Sequence, residues 1–279
     1  MTYKTIMTLV TAPDLTTSAL PAAIARARAD EAHLEVLCLG IDHTQTGYYY
    51  AGANALLLQE TLKRAQDDAA EIEAAVKKRL SAEDIRWACD SAVAQIAGLS
   101  DIVAQRARFA DLVVMHHPYG ETRGIADEAA VEAALFDGKA PLLIPAEGRE
   151  MPARFGRIVV GWNNSVEALT AIRAAMPLLR EAETVSIAII DPPQHGPDRS
   201  DPGGPLSEML SRHGVNTEIS VLARTMPRVS DVIERHMSDF GADLLVIGAY
   251  SHSRFREAIM GGTTRGLLER AAIPVFMAH

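Results

Sequence analysis

Short apolar runs, each about one strand long, alternate along this chain with longer stretches whose apolar residues recur at helical spacing. Thr5–Val10 opens the series, and Ser18–Ala29 reads as an Ala-rich helix started by Thr and Ser caps. Leu34–Gly40 is the second strand, Thr44–Gly52 a tyrosine-bearing loop, and Asn54–Leu80 a long charged helix. Ile85–Asp90, Ala92–Arg108 and Leu112–Met115 continue as strand, helix and strand, and Glu121–Phe136 leads through a helix to the Pro-led strand Pro141–Ile144. Pro145–Phe155 then reads as a linker, after which the pattern restarts. Arg157–Trp162, Val185–Ile190, Asn216–Leu222, Leu244–Ile247 and Val275–Met277 are predicted strands, and Val166–Arg180, Leu206–His213 and Val229–Phe240 are predicted helices. Asp191–Gly204, rich in Pro, Gly and Asp, is predicted to be a loop. Strands that alternate with helices indicate a parallel, doubly wound α/β sheet.

The restart is a repeat. Ala110-Asp-Leu-Val-Val-Met115 mirrors Ala242-Asp-Leu-Leu-Val-Ile247, and Ala140-Pro-Leu-Leu-Ile144 mirrors Ile273-Pro-Val-Phe-Met277. From the Asp to the Pro is 30 residues in one copy (Asp111 to Pro141) and 31 in the other (Asp243 to Pro274). Two separated blocks at matched spacing mark a tandem duplication. At 279 residues, the chain has room for two such units, each with its own core.

Composition narrows the function. The formal charge of -9 argues against a nucleic-acid surface. Residues 1–148 hold 13 Lys and Arg against 21 Asp and Glu, whereas residues 149–279 hold 14 against 15, so the second half is the easier host for an anion. Cys38 and Cys89 both fall in predicted strands and read as buried thiols, which points to a reducing, cytoplasmic setting. No apolar run reaches the roughly 18 residues of a membrane span, and Pro13 and Asp14 interrupt any N-terminal signal.

The chemistry concentrates near the C-terminus. Gly248 ends a buried strand, and Gly261 and Gly262 open the next helix, where free N–H groups face outward. Ser251, Ser253, Thr263 and Thr264, with Arg254, Arg256 and Arg265, surround the turn, so the segment reads as a phosphate cradle. Competing motifs are missing: there is no Gly-x-Ser-x-Gly elbow, no Walker-type Gly-x-x-x-x-Gly-Lys and no dinucleotide Gly-x-Gly-x-x-Gly. His116 and His117 are adjacent in a predicted strand and point to opposite faces, so no metal site is expected. The arginines also have a plainer reading, as a solvated helix face paired with Glu257 and Glu269.

The same residues resemble the nucleotide-loop signature of universal stress proteins, which is Gly, two residues, Gly, nine residues, then Gly followed by Ser or Thr. Gly248 and Gly261 match, His252–Met260 is the nine-residue spacer, Ser251 replaces the second Gly, and Gly262 stands where Ser or Thr is usual. Trp162-Asn163-Asn164-Ser165 resembles the family's Asp-Gly-Ser turn after its first strand, with Asn163 at the Asp position and Asn164 at the Gly position. A plainer role for this turn is to cap the following helix, which Ser165 is suited to do.

The resemblance implies two tandem Rossmann-like modules, each a five-stranded parallel sheet, at residues 1–147 and 154–279. They are expected to pack as a pseudo-dimer whose terminal strands meet. It further implies ATP in the second copy only, bound by Trp162, Asn163, Gly248, Ser251, His252, Gly261, Gly262, Thr263 and Thr264, with no metal. In the first copy His116 stands opposite Gly248 and Tyr119 opposite Ser251, and Glu121, Asp127, Glu128 and Glu132 crowd the segment. Repulsion there is expected to have cost this copy its ligand. The expected function is non-catalytic stress signalling by a cytoplasmic homo-oligomer, a dimer of tandem chains, with no nucleic-acid or membrane partner. Weak ATP hydrolysis is the only enzymatic activity in view, and a ligand-free regulatory or scaffold protein of the same family is the alternative.

Overall fold

The structure is a computed structural model that describes residues 2–15, 19–42, 54–120, 123–192, 201–249, 262–270 and 272–279. Of residues 54–58, 262 and 263 only the backbone is considered. Two compact units divide at Ala140 and Pro141.

The unit Thr2–Ala140 is built on four parallel strands in the order β3-β2-β1-β4: β1 (Thr5–Val10), β2 (His33–Asp42), β3 (Arg86–Gln95) and β4 (Leu112–Val114). Helices α1 (Leu20–Asp30), α2 (Asn54–Leu80) and α3 (Ile96–Ala107) connect them, α4 (Ile125–Glu132) follows β4, and a π-helical turn over Ala133–Asp137 extends α4. β1 is buried almost throughout, as a central parallel strand must be. α2 crosses β2 so closely that a Cβ on Gly40 would overlap the carbonyl oxygen of Ala65 and stand 3.0 Å from Cβ of Ala69.

Two expectations shift here. α1 begins two residues into its predicted span, with Ala19 as N-cap and no side-chain cap. β3 runs on to Gln95 rather than ending at Asp90, because Ser91–Gln95 continue the ladder opposite Cys38–Asp42. Pairing overrides the helical preference of the alanines there. The loop predicted over Thr44–Gly52 lies outside the described residues.

The unit Pro141–His279 holds β5 (Leu142–Ile144), β6 (Arg157–Gly161), β7 (Thr184–Ile190), β8 (Thr217–Leu222), β9 (Leu244–Gly248) and β10 (Val275–Ala278), in the order β5-β10-β9-β6-β7-β8. All pairs are parallel except β5 with β10, where Leu142 faces Met277 and Ile144 faces Val275. The two Pro-led strands of the repeat therefore meet, as the resemblance implied, and each shields the other's edge. The helix predicted over Val166–Arg180 is two helices, α5 (Val166–Ala174) and α6 (Met176–Leu179). Pro177 lacks the N–H that a continuous helix needs and its ring opposes the preceding turn. α7 (Gly204–Arg212), α8 (Val229–Phe240) and α9 (Gly262–Arg270) complete the unit.

Candidate functional site

In the second unit, the turn after β6 and the end of β9 adjoin. Trp162 extends β6 by donating its backbone N–H to Ala188. Asn163 Oδ1 then accepts the Ser165 N–H at 3.2 Å, an Asx turn. Asn164 adopts φ 58, the left-handed conformation that Asn tolerates and that Gly would adopt without strain. Ser165 caps α5, its Oγ accepting from Ala168 N at 3.1 Å. The capping role expected of Ser165 is thus observed, and Asn163 supports it.

Gly248 lies directly against this cap. A Cβ there would overlap the amide nitrogen of Ala168 and come within 2.6 Å of the Glu167 carbonyl carbon. Only glycine lets β9 end against the first turn of α5, which gives Gly248 a packing reason in addition to any ligand. Gly248→Ala should push α5 off the sheet and cost about 1–3 kcal/mol by overpacking, read as a lower urea midpoint. Beyond Gly248, Ala249 is fully buried, and His279 Nδ1 donates to its carbonyl at 2.9 Å.

Of the predicted ligand contacts, Trp162, Asn163 and Gly248 come together at these strand ends. The Trp162 indole N–H donates to the Pro202 carbonyl at 3.2 Å, so the loop after β7 holds the ring. The backbone of α9 starts at Gly262 and Thr263, and Thr264 is buried in its first turn. Ser251, His252 and Gly261 lie outside the described residues, as do Arg254, Arg256 and Glu257. Arg265 pairs with Glu269 at 2.7 Å, the plainer reading of that face. Arg270 donates to Ser230 and Asp231 at 2.9 and 2.6 Å, fastening α9 to α8.

The corresponding strand end in the first unit is filled by side chains. His116 is nearly buried, with Nε2 3.1 Å from Asp127 Oδ1 and Nδ1 3.0 Å from its neighbour's carbonyl, that of His117. Asp127 Oδ2 also accepts the Gly124 N–H at 2.7 Å, at the start of α4. The acidic segment was read as repulsive. Its Asp127 carboxylate is instead held by His116 and the Gly124 N–H, and His116 stands where the repeat has Gly248.

Burial alone would raise the Asp127 carboxyl, but the hydrogen bonds from His116 and Gly124 and the charges of His116 and Arg123 outweigh it and hold it below the usual carboxylate range. A depressed carboxyl stabilises the fold above its unfolded value near about 3.9, and that stability drains away as pH falls through the folded value. Asp127→Asn should therefore cost about 1.5–3 kcal/mol at neutral pH and much less near pH 2, measured by urea unfolding at both.

One polar network had no sequence signal. Ser186, fully buried on β7, sits 2.9 Å from His236 Nε2 on α8 and 3.0 Å from Ser220 on β8. Burial lowers the His236 imidazole, with Glu218 and Asp239 opposing. The group lies on the sheet face beneath α8, away from the strand ends, and acts as a packed polar contact. Among the described residues no group of three or more His, Cys, Asp or Glu could hold a metal ion, and no helix is long and apolar enough to cross a membrane.

The sequence model of the universal stress protein family matches residues 154–279. A universal stress protein of Synechocystis sp. is 33% identical over 72 residues, a match covering 26% of this chain and 24% of that protein. The chain thus spans about a quarter of the length of the curated relative it matches. Among solved structures, a universal stress protein from Archaeoglobus fulgidus DSM 4304 superposes with TM-score 0.72 over 98% of this chain and 97% of its own, at 13% identity. A functionally unknown protein from Pseudomonas aeruginosa PAO1 superposes with TM-score 0.59 over 99% of this chain and 92% of its own, at 16% identity. Residues 154–279 thus resemble the universal stress protein family, and the whole chain has the fold of the Archaeoglobus protein.

Proposed function

We propose that this chain is a non-catalytic nucleotide-binding stress protein whose second copy takes one adenine nucleotide, ATP, while its first copy takes none. The observation that carries the reading is the contrast between two equivalent strand ends. In the second unit, glycine ends β9 against the capped start of α5, beside the carboxyl ends of the strands where open α/β sheets hold ligands. In the first unit, the equivalent residue is His116, paired with Asp127 at 3.1 Å.

Trp162 and Asn163 would border base and ribose, and the backbone from Gly248 through Ser251 and His252 would run under the phosphates. N–H groups at Gly261, Gly262 and Thr263, with the Thr263 and Thr264 hydroxyls nearby, would hold the charge at the start of α9. The near-neutral balance of this half favours an anion more than the acidic first half does.

The scaffold alternative draws on the Trp162 indole, already engaged by Pro202. Chromatography of the nucleotide released by denaturing freshly purified protein separates the two. ATP or ADP approaching one per chain supports the binding reading, and its absence after purification in added ATP supports the scaffold.

A further inference from the structure

The chain has two cysteines, 51 residues apart, and the fold brings them together. In the β2–β3 ladder Val36 lies beside Cys89 and Cys38 beside Ser91. Residues two apart on a strand share a face, so Cys38 and Cys89 lie diagonally across one face of the strand pair. Their sulfurs are 3.4 Å apart. Helix α2 lies over that face: Ser91 Oγ donates to Glu73 at 2.7 Å, and Lys77 Nζ donates to the same carboxylate at 2.5 Å. Cys38 is buried and Cys89 only half-buried, so Cys89 is the more accessible residue of the pair.

We propose that Cys38 and Cys89 are a site of reversible oxidation, a dithiol that hydroperoxides convert to an intramolecular disulfide, with Cys89 as the attacking sulfur. The Cys89 thiolate attacks one oxygen of hydrogen peroxide, the O–O bond breaks, and the leaving hydroxide takes a proton to become water. Cys89 is then a sulfenic acid. Cys38 gives up its proton, its sulfur displaces the hydroxyl from Cys89, and a second water departs. Two thiols and one peroxide become one disulfide and two waters, and the two electrons lost by sulfur reduce the peroxide.

The surroundings support that order. A hydrogen bond from the Cys38 thiol lowers Cys89, against burial and the Glu73 carboxylate, with Lys77 assisting; the same contact and burial raise Cys38. The half-buried Cys89 is therefore the better thiolate and the buried Cys38 the resolving partner. A disulfide is about 2.05 Å long, so the sulfurs need close by roughly 1.4 Å. The new bond would tie edge strand β3 to β2 beneath α2.

The test uses the full chain, fully reduced, exposed to graded hydrogen peroxide, quenched with an alkylating reagent and analysed by intact and peptide mass spectrometry. Both thiols should disappear together, with a mass deficit of two hydrogens. The Cys38 and Cys89 peptides should be cross-linked, and dithiothreitol should restore both. Cys38→Ser should stop Cys89 at a sulfenic acid that dimedone traps, and Cys89→Ser should leave Cys38 unmodified at the same dose. Independent modification of the two thiols, cross-links only between chains, or survival of both thiols at doses that oxidise methionine would overturn the proposal. The wild-type peptide map decides the matter even if a variant fails to fold.

Discussion

Arg26→Ala should lower the stability of this protein by about 3–5 kcal/mol, the largest effect expected of any single charge deletion here. Arg26 and Asp30 are one helical turn apart on α1, with side chains only 1% and 2% exposed. The guanidinium donates through Nε to Asp30 Oδ2 at 2.7 Å and through a terminal nitrogen to Oδ1 at 2.9 Å, a bidentate pair. Such a pair contributes little against an apolar replacement, yet removing one partner strands the other charge in the core. Tyr3 lies in the same pocket; burial, with Asp30, pushes its phenol up, and Arg26 acts in the opposite sense. The double replacement Arg26→Met with Asp30→Leu should recover most of the loss. Urea unfolding of the three variants checks this, and a loss below about 1 kcal/mol in Arg26→Ala would mean that water reaches the pair.

Gly40→Val should cost on the order of 3 kcal/mol. The added carbon would overlap the Ala65 carbonyl oxygen, and its next neighbours, the Ala65 carbonyl carbon and Ala69 Cβ, are each 3.0 Å away. Two of these three atoms are backbone, so α2 itself must lift from β2. Thermal unfolding should show the drop, and the first unit should lose amide protection along α2 before β1 does. An unchanged melting temperature would show that α2 does not pack as described.

Much of this architecture was legible because periodicity and burial agree. Asn54–Leu80 and Val229–Phe240 have the bounds expected of them, since their apolar residues recur at helical spacing over several turns. The repeat marked the two Pro-led strands as equivalent, and the family resemblance implied that β5 and β10 would be partners. Strand–helix boundaries were harder where tertiary pairing decides them, as at Ser91–Gln95, where the ladder to β2 holds extended a stretch that alanines would coil. Pro177 splits the stretch that periodicity alone reads as one helix, because it lacks the N–H a continuous helix needs.

At the candidate site, Asn164 could be placed because the family resemblance set it at a glycine position, and its positive φ agrees. Gly248 was noted for phosphate, whereas its observed neighbour is the first turn of α5. Contacts that depend on strand order had no sequence signal: Cys38 with Cys89, and Ser186 with His236. His116 with Asp127 was half visible, as a charge cluster whose partner only the turn into α4 supplies.

The central claim is that one copy binds a nucleotide and the other has closed its site with its own side chains. Isothermal titration of ATP into the full chain tests it most directly, with Gly261→Glu and Asp127→Asn alongside. One ATP per chain is expected for the native protein and for Asp127→Asn, and at least about a hundredfold weaker binding, some 2.7 kcal/mol, for Gly261→Glu, which sets a carboxylate among the N–H donors. No heat with the native chain, two sites per chain, or unchanged binding by Gly261→Glu would contradict the account.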